Sequence, residues 1–123
     1  MSMLSTAVFD AALTHISSNG VEAEVQNSAG SPLVGGVTLD TGNYSSPQNN
    51  TSSAGRNMTC LVSSASDMQQ IGVSTAGSAY QTAIKNSAGS NLVIASISSA
   101  PINLGASDQV NLSTFNVQLN EPT

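Results

Sequence analysis

Apolar residues recur in two rhythms along this chain. Between Ser5 and Ile16, "STAVFDAALTHI", they fall at helical spacing. Val8, Ala11, Ala12 and His15 share one stripe, and Phe9, Leu13 and Ile16 share another. The pattern predicts a short N-terminal helix over about 5–16, capped by Ser5 or Thr6. "SSNG" follows as a stop signal, with Gly20 expected in the left-handed conformation.

Beyond Gly20 the rhythm is that of strands. In "GVEAEVQ", Val21, Ala23 and Val25 alternate with Glu22, Glu24 and Gln26, which predicts a strand with one wet face. "SPLVGGVTL" follows a turn, and Gly35–Gly36 marks a bulge. "NMTCLVS" puts Met58, Cys60 and Val62 on one face. "MQQIGVS", "AYQTAIK" and "NLVIASIS" come at short spacing, and "LVIA", apolar on both faces, reads as a central or interface strand. "QVNLSTFNVQL" reads as one strand with a bulge near Ser113–Thr114. Short strands at this spacing predict a mainly β chain: an antiparallel β-sandwich or jelly-roll-like fold, one domain over 1–123, with the helix at one end.

Residues 40–57, "DTGNYSSPQNNTSSAGRN", break both rhythms. Ordered loops of this length are uncommon in compact domains. The segment reads as a solvated loop, or as an arm that orders on a neighbouring subunit through Tyr44 and Arg56, the two residues there of types common at binding hot spots. On either reading, residues 43–54 are expected to be dispensable for folding.

"NSAGSPLV" (27–34) returns as "NSAGSNLV" (86–93), 59 residues later. Each copy lies between strand-like runs, and Asn, Ser and Gly suit a hairpin tip. Outside these eight residues the offset fails: Asp40 would meet Ser99, and Asn43 would meet Ile102. Recurring turn chemistry accounts for the echo, with an old duplication as the alternative. No P-loop Lys or Gly spacing follows either copy.

Composition narrows the partners. Only 7% of residues are charged and the net charge is −5, with Arg56 and Lys85 the only basic residues. This excludes the basic footprint that nucleic acid requires, and an anionic membrane surface is equally unsuited. Aromatics make up 3%, so the core must be built from small aliphatic side chains, and association with other chains would add stability. Cys60 is the one cysteine and reads as a small buried thiol. Residues 1–10 lack the basic and apolar regions of a secretory signal, so the Asn-x-Ser/Thr sites at Asn43, Asn49, Asn50, Asn57 and Asn111 carry little weight.

No catalytic, cofactor-binding or metal-binding residue is predicted, and the chain is not expected to be an enzyme. His15 is the only histidine and reads as structural. Asp10 lies five residues before it, off its face. The other acidic residues, Glu22, Glu24, Asp40, Asp67, Asp108 and Glu121, are scattered, without zinc or calcium spacing. Glu22 and Glu24 share a strand face that reads as the wet side of a hairpin.

Residues 68–119, "MQQIGVSTAGSAYQTAIKNSAGSNLVIASISSAPINLGASDQVNLSTFNVQL", run as strand, small-residue turn, hairpin, and a Gly-x-x-Asp turn into a final alternating strand. With the short N-terminal helix, this layout resembles small virion proteins of tailed bacteriophages, most closely over "LGASDQVNLSTFNVQL". An aromatic common beside the "IGV" strand in such proteins is replaced here by Ile71, Val73 and Ser74. The resemblance implies a capsid decoration (cement) protein. Its partners would be the major capsid protein and copies of itself, in a homo-oligomer located on the virion and assembled in the host cytoplasm. Segment 40–57 and the N-terminal residues would be its arms. A head fibre or tail-associated protein is the alternative within the resemblance. A carbohydrate-binding adhesin is the alternative from another class, weakened by the scarcity of aromatics for sugar stacking.

Overall fold

A computed structural model describes residues 5–51, 54–61 and 70–120. The chain is mainly β, with antiparallel sheets and one short N-terminal helix, in a β-sandwich-like arrangement.

The helix α1 spans Thr6–Asn19, and the Ser5 side chain accepts from the Val8 N–H at its start. It runs past the expected end at Ile16. Ser17 Oγ donates to the Thr14 carbonyl and Asn19 Nδ2 to that of His15, so these polar residues bond to the helix rather than ending it. Gly20 is extended (φ −78°, ψ 99°) instead of left-handed. Space is what requires glycine here: a Cβ would collide with the Tyr44 hydroxyl and lie 2.6 Å from Ile84 Cγ2. Phe9 and Leu13 are buried and Ile16 is half-buried, while the stripe from Val8 to His15 faces outward.

Two hairpins make the largest sheet. β1 (Glu22–Gln26) turns into β2 (Pro32–Thr38), and β7 (Gln81–Lys85) turns into β8 (Asn91–Ser96). The sheet order is β2-β1-β7-β8, so the two first strands pair at the centre. Their tips are the repeated "NSAGS" strings, and their bonding is the same in detail. Asn27 Oδ1 accepts from the N–H groups of Ala29 and Ser31, and Asn86 Oδ1 from those of Ala88 and Ser90. Gly30 and Gly89 take the left-handed conformation, with φ of 84° and 83°.

The equivalence extends well beyond these eight positions, seven of which carry the same residue. Val25 and Gln26 face Val34 and Pro32, as Ile84 and Lys85 face Val93 and Asn91, with the same slip of register in each hairpin. Val21 N–H donates to the Lys85 carbonyl, and Tyr80 N–H to that of Gln26. A local twofold axis therefore passes near Glu24 and Ala83, which face each other across the central pair. The symmetry slips by one residue at the expected Gly35–Gly36 bulge, where Gly36 has φ 85°. Leu39 N–H reaches the Val21 carbonyl, and on the other side Ile97, one residue short of equivalence, reaches that of Tyr80.

The remaining strands form smaller pairs. β3 (Gln48–Asn49) and β11 (Phe115–Asn120) flank β4 (Gly55–Cys60). β5 (Ile71–Gly72) pairs with β10 (Gln109–Val110), and β6 (Gly77–Ala79) with β9 (Ile102–Leu104). One cluster of buried side chains joins α1, through Leu13, to the inner face of the large sheet and to Met58 and Cys60 of β4.

Four expectations need correction. The segment 40–57 is built into the body: Asp40 caps a 3-10 turn at Thr41–Asn43, Tyr44 is buried, and β3 and the start of β4 follow. "LVIA" belongs to β8, which is an edge strand and not a central one. Residues 109–119 are two strands in different sheets and not one bulged strand, because Leu112 drops into the core between them. The alternation of Met58 and Cys60 ends at Leu61, which is buried with φ 59°, and Val62 lies outside the described residues, as do Met68, Gln69, Asp67 and Glu121.

Candidate functional site

His15 is exposed on α1, with the Asn19 side-chain amide 3.4 Å from its Nδ1. Asp10 is engaged elsewhere: both of its carboxylate oxygens accept from Arg56, at 2.8 and 3.2 Å. Arg56 also donates to Asn49 Oδ1 and the Pro47 carbonyl, so it fastens the polar segment to the helix. Tyr44 donates to the Gly20 carbonyl at 2.8 Å. The two residues expected to anchor an arm on a partner are thus committed within the chain. Cys60 is buried, and burial pushes its thiol up to about 11. Burial, with a smaller contribution from Cys60, also pushes the Tyr44 hydroxyl above its usual value. Among the described residues, no three His, Cys, Asp or Glu side chains gather at metal-binding distance.

The face of β1 expected to be wet is closed. Glu24 is 4% exposed and Gln26 is 1% exposed. Glu24 Oε1 accepts from Lys85 Nζ at 3.1 Å and from Gln26 Nε2 at 2.7 Å. Gln26 Oε1 accepts from Gln81, and Gln26 Nε2 also reaches Asn91 Oδ1. Gln26 and Lys85 are equivalent under the local twofold, so both hairpins send one donor to the carboxylate nearest the axis. Among the described residues, no buried side-chain polar atom lacks a partner. The buried polar atoms of the network are thus partnered within the chain. Alternation of Glu and Gln in the sequence concealed this, because burial of the second face depends on the neighbouring hairpin.

The open features lie at β8. The row Val25–Thr82–Ala95, running across three strands, forms one wall of a cleft of about 480 Å³. Ile102, Leu104 and Phe115 also line it. Ile94, on the face of β8 away from the cleft, is 52% exposed, and Ile102 at the cleft and Tyr80 are also exposed. Of the four aromatic rings only Tyr80 stands out from the body, which leaves one ring for sugar stacking.

The main-chain edge of β8 is equally open. Lys85 points its carbonyl at Val21, so alternation directs the main-chain groups of Ile84 and Thr82 toward β8 and those of Ile94 and Ser96 away from the sheet. Among the described residues nothing pairs with that edge. β2, its counterpart under the local twofold, is covered: the Leu33 carbonyl accepts from the N–H groups of Ser74 and Thr75 and from Ser74 Oγ. The arrangement suits strand addition and apolar docking. No helix among the described residues is long and apolar enough to cross a membrane. Comparison with protein-family models, with curated proteins and with solved structures finds no match.

Proposed function

We propose that this chain is a structural protein of a bacteriophage virion, a capsid decoration protein that binds the major capsid lattice and stabilises it. The observation that carries the reading is the uncharged, unpaired edge of β8 beside a cleft lined by both small apolar and uncharged polar side chains. Such a surface adheres through main-chain pairing and burial of small apolar side chains, and repetition over a lattice multiplies weak contacts into avidity. The polar exterior with few charges and the layout of residues 68–119 support the same reading. Segment 40–57 is anchored by Tyr44 and Arg56, so the lattice contact is assigned to the β8 side instead.

The test is copy number and place in purified virions that carry the chain. Hundreds of copies over the shell, seen on a stained gel and by cryo-electron microscopy, fit a decoration protein. A handful at a vertex or on the tail selects a head fibre or tail-associated protein. Absence from the particle overturns both.

A further inference from the structure

We infer that β8 is a self-association strand: two copies of this chain pair their β8 edges antiparallel about a twofold axis near Ile94. The local symmetry within the large sheet isolates the feature. Position by position, β2 carries Pro32 and Gly35–Gly36 where β8 carries Asn91 and Ile94–Ala95. Proline, a glycine bulge and a covering segment are devices that keep an edge from pairing, and β2 has all three. β8 has a register slip only at its first residues, and no proline, lysine or cover among the described residues.

Its sequence is also complementary to its own reverse. With Ile94 on the axis, Ile94 faces Ile94 of the second copy on the outer face, Val93 faces Ala95 on the inner face, and Leu92 faces Ser96. Asn91–Ser96 contains no ionisable side chain, so a chain of net charge −5 can meet itself there without opposing charges. The outward main-chain groups of Ile94 and Ser96 would find partners, and the half-exposed Ile94 side chain would be covered. A foreign strand would satisfy the same edge. The reversal symmetry and freedom from charge favour a second copy. This gives the β8 edge to a second copy, as the expected homo-oligomer requires, and leaves the cleft, not the edge, to meet the lattice proposed above.

The test uses the full chain free in solution. Sedimentation velocity over a wide concentration range is expected to show a dimer or a larger even oligomer. Hydrogen exchange at the Ile94 and Ser96 amides is expected to slow by at least tenfold as the oligomer forms. Ile94→Lys, at an exposed position, is expected to weaken association at least tenfold while leaving the far-UV spectrum unchanged. A monomer at every concentration overturns the inference, and so does an oligomer in which both amides still exchange freely. Because the exchange is read on the native chain, the outcome does not depend on how the variant folds. Neither result bears on copy number in virions, so the two readings fail separately.

Discussion

The Tyr44 hydroxyl donates to the Gly20 carbonyl at 2.8 Å, across a gap into which no Cβ at Gly20 fits. This contact links the end of α1 to the start of the polar segment. Gly20→Ala is expected to destabilise by about 1–3 kcal/mol through overpacking against Tyr44 and Ile84. Tyr44→Phe should cost about 1–2 kcal/mol by leaving a buried carbonyl unpaired. Urea denaturation checks both. Deletion of residues 43–54, expected from the sequence to spare folding and weaken only assembly, is now expected to abolish the folded far-UV spectrum, because it removes Tyr44 from the core.

Lys85 and Glu24 form the ion pair beneath the large sheet. Removing one partner strands the other in a closed site. Lys85→Met is expected to cost about 3 kcal/mol. Adding Glu24→Gln should recover much of that loss, since the remaining carboxylate charge disappears. A double-mutant cycle by urea unfolding measures the coupling, and simple additivity would contradict it.

Asn27 and Asn86 hold matching tips at opposite ends of the sheet. Asn27→Ala and Asn86→Ala are each expected to cost about 1 kcal/mol, the net worth of a hydrogen bond or two at an exposed turn. The two losses should add, because the sites share no partner. Thermal melts of the single and double variants read this directly.

Cys60 ties stability to alkaline pH. Burial raises its folded value to about 11, above the ordinary 9.0 of a thiol, so the folded chain holds the proton more tightly than the unfolded one. The contribution is therefore fully present below pH 9 and is lost as pH rises from 9 through 11. The difference is on the order of 2–3 kcal/mol. The urea midpoint should fall over that window, and Cys60→Val should flatten part of the decline. At pH 8 the thiol of the native chain should resist thiol reagents until the chain unfolds.

The parts of the fold that rest on local chemistry were legible in the sequence. Ser5 at the helix start, the two "NSAGS" tips and the Gly35–Gly36 bulge are fixed by residues within a few positions of one another. What depends on distant neighbours was not. Glu24 and Gln26 look like solvent-facing residues until β7 brings Lys85 and Gln81 beside them. The segment 40–57 has no periodicity because Tyr44 and Arg56 fasten it singly, one by a hydroxyl and one by a guanidinium. The run "LVIA" showed that a strand was apolar on both faces, but only sheet order shows that it lies at an edge. The echo showed only seven of the residues related by the local twofold, because the rest of that relationship lies in backbone pairing and not in shared side chains.

That twofold also governs how the chain reaches its folded form. Each hairpin closes through a five-residue tip, an event on the microsecond scale that needs nothing from the rest of the chain. The seam between β1 and β7 joins Glu22 to Lys85, and everything between them must be gathered before it can zip. Two rapid local closures followed by one slower meeting is the kinetic order this connectivity leads us to expect. A seam variant such as Ala23→Gly should slow folding more than a tip variant such as Asn86→Ala in stopped-flow refolding.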